Sequence, residues 1–432
     1  MRSLLSIRLL SIRLLSLALS AAVVTGCGNV APSPSAPATA TLAPTSPVPS
    51  AGAPPSGTPG ASARPAAEVY AEIRAAVEAM RGLQPTKAVE PVTLDATQLI
   101  ANLTADFDRE NTPAELRLSE DLLITLGLLP PGSNLRTIML DFQSGQVAGY
   151  YSPEKDELYV VNRSGQLDGA QIVTYAHEFT HQLDDQVLGL DKLGLDVADQ
   201  SDQQLARLAL VEGDATSIQT AYMTTNLTPQ QLGEVLAASM DPKALEALQN
   251  APPFVRETAL FPYERGLAFV STLLGQGGYE AVDAAFKDPP GSTEQILHPE
   301  KYAQREEPTA VTLPDVAKAL GTGWTAAGQD TLGELLLSIW LTQGGVPGVE
   351  AQAAAAGWGG DRLVILRGPD GAVGVGIATT WDTAADAADF LTAASTAARA
   401  GDPDGVVASD GARTVLVAVG ARAADILAAL AG

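Results

Sequence analysis

A chain of 432 residues with 46% hydrophobic side chains can bury a sizeable core and has room for two or three domains. Its 50 acidic against 26 basic residues leave a formal charge of −24, which disfavours DNA, RNA and an anionic membrane surface as partners. The single cysteine, Cys27, excludes a structural disulfide and a cysteine-built metal site.

The N-terminus reads as an address. Arg2, Arg8 and Arg13 lead into an apolar run from Leu14 to Val24, which ends in Val24-Thr25-Gly26-Cys27. That ending looks like a bacterial lipoprotein box, so residues 1–26 are expected to be a signal peptide and Cys27 the site of lipid attachment. Loss of the leader removes three arginines and takes the charge from −24 to −27. Residues 27–65 are rich in Pro, Ala, Ser and Thr, and predict a disordered linker rather than a folded element. Extended, such a linker reaches up to about 100 Å. No later run is long and apolar enough to span a bilayer. The expected location is therefore the cell envelope, outside the cytoplasm, tethered to the membrane by lipid.

The main globular part is expected over residues 66–350, opening with a helical segment over 66–130. Val69, Ile73, Val77 and Met80 form one helical stripe, ended by Gly82. Asp95 with Gln98 reads as a capping box before Leu99, Leu103 and Phe107. Thr112-Pro113 with Glu115 marks a third helix start, and Gly127 with Pro130-Pro131 its end. Gln146–Tyr151 and Glu157–Val161 predict a hairpin around Ser152–Asp156. Helices are expected next over Gln203 to about Thr224, Thr228–Ala238, Pro242–Gln249, Tyr263–Leu274, Tyr279–Lys287 and Leu332–Leu341. Residues 355–432 read as a separate small α+β module of ββαββα pattern, without a histidine or a motif of its own. The fold class is thus α+β: a mostly helical domain with a small edge hairpin, plus this module.

Chemistry concentrates in Tyr175-Ala-His-Glu-Phe-Thr-His181. On a helix, His177 and His181 stand one turn apart on one face, a spacing that lets two imidazoles hold one zinc ion. Glu178 lies beside them, where it can act as a general base toward water. Ile172, Ala176, Phe179 and Leu183 form an apolar stripe on a different side of the same helix. Of the three histidines in the chain, two sit in this motif. A hydrolytic zinc site needs a third protein ligand. Glu212, 31 residues after His181 and amid apolar neighbours, is the best candidate, with Glu154, Glu157 and Asp185 as competitors.

These pieces resemble the gluzincins, zinc peptidases with two histidines and a downstream glutamate, and most of all small bacterial relatives of the aminopeptidase-N-like branch. His177-Glu178-Phe-Thr-His181 matches the first motif, Glu212-Gly213 the ligand glutamate and its glycine, and Pro262-Tyr263-Glu264-Arg265-Gly266 a segment whose tyrosine stabilises the transition state. The resemblance covers about Gln146 to Phe286. It implies a zincin-like fold, Zn2+ held by His177, His181 and Glu212, Glu178 as general base, Tyr263 as oxyanion donor and a peptide or protein substrate. The hairpin before the motif matches the edge strand on which zinc peptidases align an extended substrate. The Gly-x-Met-x-Asn strand that captures a free amino end in that branch is absent, which points to an endopeptidase rather than an aminopeptidase. His298 is a further candidate, either as a second oxyanion donor or as a structural loop residue. Asp214 is a candidate to orient a ligand histidine from behind. Two other functions fit the same residues: a non-catalytic surface lipoprotein with a zincin-like scaffold, and an amidase of cell-wall peptides. Oligomeric state has no signature here.

Overall fold

The computed structural model describes residues 14–17, 64–161 and 167–432, with backbone alone for 14–17 and Val147. The expected lipid site at Cys27, most of the leader and all but the end of the linker lie outside these residues. The fold is mixed α+β, as its alternation of helical and strand patterns predicts.

In the leader, Leu14–Leu17 forms a strand, β1. Helix α1 (Ala66–Arg81) buries Tyr70, Ile73 and Val77 and closes on Gly82 in the left-handed region, φ 75°. A short strand β2 (Val92–Leu94) follows. Helices α2 (Ala96–Glu110) and α3 (Pro113–Thr125) both start on the expected capping boxes, Asp95 with Gln98 and Thr112 with Glu115. Helix α4 (Leu135–Gln146), which the pattern of breakers does not announce, buries Leu135, Met139 and Phe142 at helical spacing. It runs straight into β3 (Val147–Ser152) with no breaker between, and β4 (Glu157–Val161) returns antiparallel, with Tyr150 opposite Tyr159. The strand order is β1-β3-β4-β2, so β1 lies antiparallel on the outer edge of β3.

Helix α5 (Gly169–Leu188) carries the histidine motif. It is capped by Asp168 and Gln171 and ends on Gly189 in the left-handed region. The predicted stripe of Ile172, Ala176, Phe179 and Leu183 is buried in the core beneath it. Helices α6 (Ser201–Asn226), α7 (Pro229–Ser239) and α8 (Pro242–Asn250) follow. Helix α9 (Pro253–Lys287) takes the place of the two shorter helices expected over the same stretch: Pro262 lies inside it, and the break falls at Gly277 and Gly278, whose backbones are not helical. Short helices α10 (Thr293–Leu297), α11 (Pro299–Ala303) and α12 (Val316–Leu320) lead on.

The C-terminal unit begins earlier than residue 355. Strand β5 (Thr325–Asp330) pairs antiparallel with β6 (Trp358–Arg367), so the sheet already starts some thirty residues upstream. Between them lie helices α13 (Gly333–Gln343) and α14 (Gly348–Ala355). β7 (Val373–Trp381), α15 (Ala384–Gly401), β8 (Val406–Ser409), β9 (Thr414–Gly420) and α16 (Ala423–Ala431) complete it, in the sheet order β5-β6-β7-β9-β8. Strand β5 is half exposed, small-residued and paired on one side only, so it carries no alternation to read. In β6, Leu363 and Ile365 enter one core while Val364 and Leu366 enter another, because helices cover both faces of the sheet.

The first of those cores is continuous across the chain. It joins Phe107, Leu122 and Phe142 of the N-terminal helices with Phe254 and Tyr263 of α9, Trp340 of α13 and Ile365, Ile377 and Trp381 of the sheet. Division at 355 therefore cuts through shared packing, and the C-terminal unit is not a free-standing appendage. A second core holds α1, α5, α6 and the far half of α9.

Candidate metal centre

Helices α6 and α9 touch backbone to backbone. A Cβ added at Gly213 would lie 2.3 Å from the Gly266 carbonyl, and one added at Gly266 would lie 2.1 Å from the Ala209 oxygen. Only glycine at both places permits this crossing. The contact sets the neighbours of those glycines, Glu212 and Tyr263, beside the histidines of α5.

The three expected ligands converge and are buried. His177 Nε2 lies 3.2 Å and His181 Nε2 3.5 Å from Glu212 Oε2, and the two ring nitrogens are 3.0 Å apart. Ligand atoms about 2.0–2.1 Å from a common zinc at tetrahedral angles are spaced by about 3.3 Å. The donor set fits zinc in kind and in spacing. His177 Nδ1 lies 3.1 Å from Gln219 Oε1, an acceptor placed to take a proton from Nδ1 when Nε2 faces a metal. His181 Nδ1 is buried with no hydrogen-bond partner among the described residues.

Electrostatics show how confined the group is. At both histidines burial opposes the charged imidazolium. At His177 the hydrogen bond to Glu212 and the charge of Glu178 outweigh burial, so its pKa is raised. At His181 burial prevails and the pKa falls to about 4. Burial also works against the Glu212 anion, but the two imidazoles hold its pKa below the usual range. Three buried ligand atoms brought this close together form a group that could hold a cation.

Glu178 is fully buried, and its charge raises the pKa of both His177 and Tyr263. Strand β3 passes over it: a Cβ on Gly149 would come 2.9 Å from Thr174 Cγ2 and 3.8 Å from Glu178 Cγ. The Tyr263 ring stacks against His177 at 6.2 Å between centroids, and its hydroxyl hydrogen-bonds Glu212. Burial first, then Glu212 and Glu178, push its pKa well up, so the hydroxyl stays a donor.

The remaining candidates go elsewhere. His298 sits in the turn between α10 and α11 with its Nε2 3.0 Å from Glu334 Oε1 of α13, so it joins helices rather than the metal group. Asp214 does not orient a histidine; it accepts from Arg81 Nε at 2.7 Å. The alternative third ligands are likewise engaged, Asp185 and Glu157 by the hydroxyls of Tyr151 and Tyr159, and Glu154 by Arg109. A second carboxylate group, Glu294, Glu306 and Asp382, already surrounds the Lys301 ammonium at 2.5–2.7 Å. Gln219 is the functional side chain that the sequence reading missed. Its signal was present, since it lies seven residues, two helical turns, beyond Glu212 on the same face of α6.

Comparison with known proteins gives one match. A family described as a domain of unknown function, DUF8575, covers residues 320–428, the stretch from the end of α12 into α16. No curated protein and no solved structure matches the chain. Among the described residues no helix is long and apolar enough to cross a membrane.

Proposed function

We propose that this protein is a zinc-dependent endopeptidase of the cell envelope, lipid-anchored through Cys27. The observation that carries the reading is the buried convergence of His177, His181 and Glu212 with Glu178 beside them. A site that only braces the fold has no need of that glutamate.

Zinc held by the three ligands would polarise the scissile carbonyl and make a water acidic enough to lose a proton near neutral pH. Glu178 takes that proton as the water oxygen attacks the carbonyl carbon, and passes it to the leaving amine when the C–N bond breaks. Tyr263 turns its hydroxyl from Glu212 to the oxyanion that develops on the substrate. Gln219 keeps His177 in the tautomer whose Nε2 faces the metal.

Support for a peptide substrate comes from β3. Its outer edge already carries an extended segment, β1, antiparallel and next to the strand residues above Glu178. Removal of the leader at Cys27 frees that edge for an extended peptide. A cleft of about 670 Å³ lies beside β3 and the start of α5, lined by Gln146, Ala148, Ala170, Gln171, Phe142 and Ala247, and none of the metal-centre residues lines it.

The test is metal content and hydrolysis of a peptide library by the mature protein. Expected are one zinc per chain in wild type, its loss in Glu212→Ala, and in Glu178→Gln a retained zinc with a rate down by about 10²–10⁴-fold. Zinc binding without any hydrolysis would favour the non-catalytic scaffold. Cleavage confined to cell-wall peptides would favour the amidase.

A further inference from the structure

Arg81, the last residue of α1, is wholly buried, and three carboxylates surround it. Its Nε donates to Asp214 Oδ2 at 2.7 Å; its Nη2 lies 2.7 Å from Asp283 and 3.8 Å from Asp184. The guanidinium also rests 4.8 Å from the Tyr279 ring centroid. These partners come from different helices. Asp184 is three residues past His181 on α5, Asp214 two past Glu212 on α6, and Asp283 lies on α9, past the break at Gly277 and Gly278 that separates it from Tyr263.

One planar cation thus ties together the three helices that build the metal centre. The arrangement is costly as a mere brace, because apolar side chains of similar volume often stabilise a core as well or better. What the guanidinium adds is one directed hydrogen bond, from Nε to Asp214, with Asp283 and Asp184 drawn to Nη2 by charge. The remainder of α1 is seated to hold it there. Tyr70 packs on Tyr175 of α5 at 4.4 Å, and Arg74 reaches the Tyr175 hydroxyl at 3.3 Å.

We propose that Arg81 is a positioning residue of the metal centre, acting through Asp184 and Asp214 to set His177 and His181 of α5 against Glu212 of α6. Helix α1 is then a part of the centre and not a removable prosegment. The inference rests on the zinc reading above.

The experiment is zinc affinity by chelator competition on the full mature chain, at a temperature where circular dichroism shows every variant folded. Arg81→Met is expected to bind zinc about 10- to 100-fold more weakly, the range found for partners that orient metal ligands. Arg81→Lys, which keeps the charge but not the guanidinium, is expected to recover part of that loss. Lys301→Met breaks an ionic cluster away from the three helices' common junction and is expected to stay within about twofold of wild type, the limit of such a comparison. Wild-type affinity in Arg81→Met, or an equal loss in Lys301→Met, would overturn the proposal while leaving the metal centre standing. Should Arg81→Met not fold, Arg81→Lys and Asp283→Asn decide: wild-type affinity in both overturns it. No zinc in wild type would sink both readings together.

Discussion

The metal centre and the C-terminal unit both bury carboxylates, and they treat them in opposite ways. In the C-terminal unit each buried acid faces donors. Asp361 accepts from the backbone N–H groups of Leu332 and Gly333 at the start of α13 and from the Trp358 indole. Asp330 accepts from the backbone and hydroxyl of Ser201 at the start of α6. These are helix caps, and they need nothing further. At the centre, Glu212 meets two imidazole nitrogens and a tyrosine hydroxyl, side chains rather than the backbone of a helix end. Under the proposed zinc reading the contrast puts function in the centre and architecture in the sheet, although one apolar core runs between them.

The sharpest way to break the contrast is at the helix crossing. Gly266→Ala drives a Cβ into the Ala209 carbonyl, and we expect a loss of about 3 kcal/mol in unfolding free energy together with loss of zinc. Chemical denaturation and metal analysis on the same sample check both. A folded variant with normal zinc would mean that the crossing does not set the ligands.

Asp361→Ala tests the other side. It strips the cap from α13 and leaves the Trp358 indole unpaired, at a cost of about 2 kcal/mol, while zinc affinity should stay unchanged. A fall in zinc affinity as large as that of a ligand variant would erase the distinction between the two regions.

The smallest effect lies at the seam. The hydrogen bond that His298 donates to the Glu334 carboxylate raises its pKa above the ordinary 6.5, partly opposed by burial. The charged pair therefore adds stability below pH 6.5 down to the point where Glu334, its own pKa raised by burial, takes up a proton, and that stability fades as pH climbs through the raised His298 value. We expect His298→Gln to lower the Tm at pH 6 by an amount worth about 0.5 kcal/mol and to have no effect near pH 9. A loss of hydrolysis in this variant at constant zinc would return His298 to the catalytic group.

Local features of this molecule were legible in the amino-acid sequence. Capping boxes at Asp95 and Thr112, the stripe of Ile172, Ala176, Phe179 and Leu183, and the spacing of His177 and His181 all arise from contacts three or four residues apart. Backbone geometry alone dictates such contacts, so periodicity reveals them. The motif of Glu212 and Gly213 was legible too, through its likeness to a known pattern.

Other features were decided only by the tertiary structure. Whether Asp214 would meet a histidine or Arg81, 133 residues away, depends on where α1 docks, and no local pattern encodes that. Gln219 meets His177 because α6 packs on α5, and Gly213 and Gly266 let the same helix approach α9 closely. Strand β5 has too little apolar alternation to be seen until β6 pairs with it, and α4 passes into β3 without an intervening loop. The sequence alone thus determined which side chains share a helix face. Which faces meet is set by long-range packing, where the close approach of two helices and the burial of unlike charges have no counterpart in neighbouring residues.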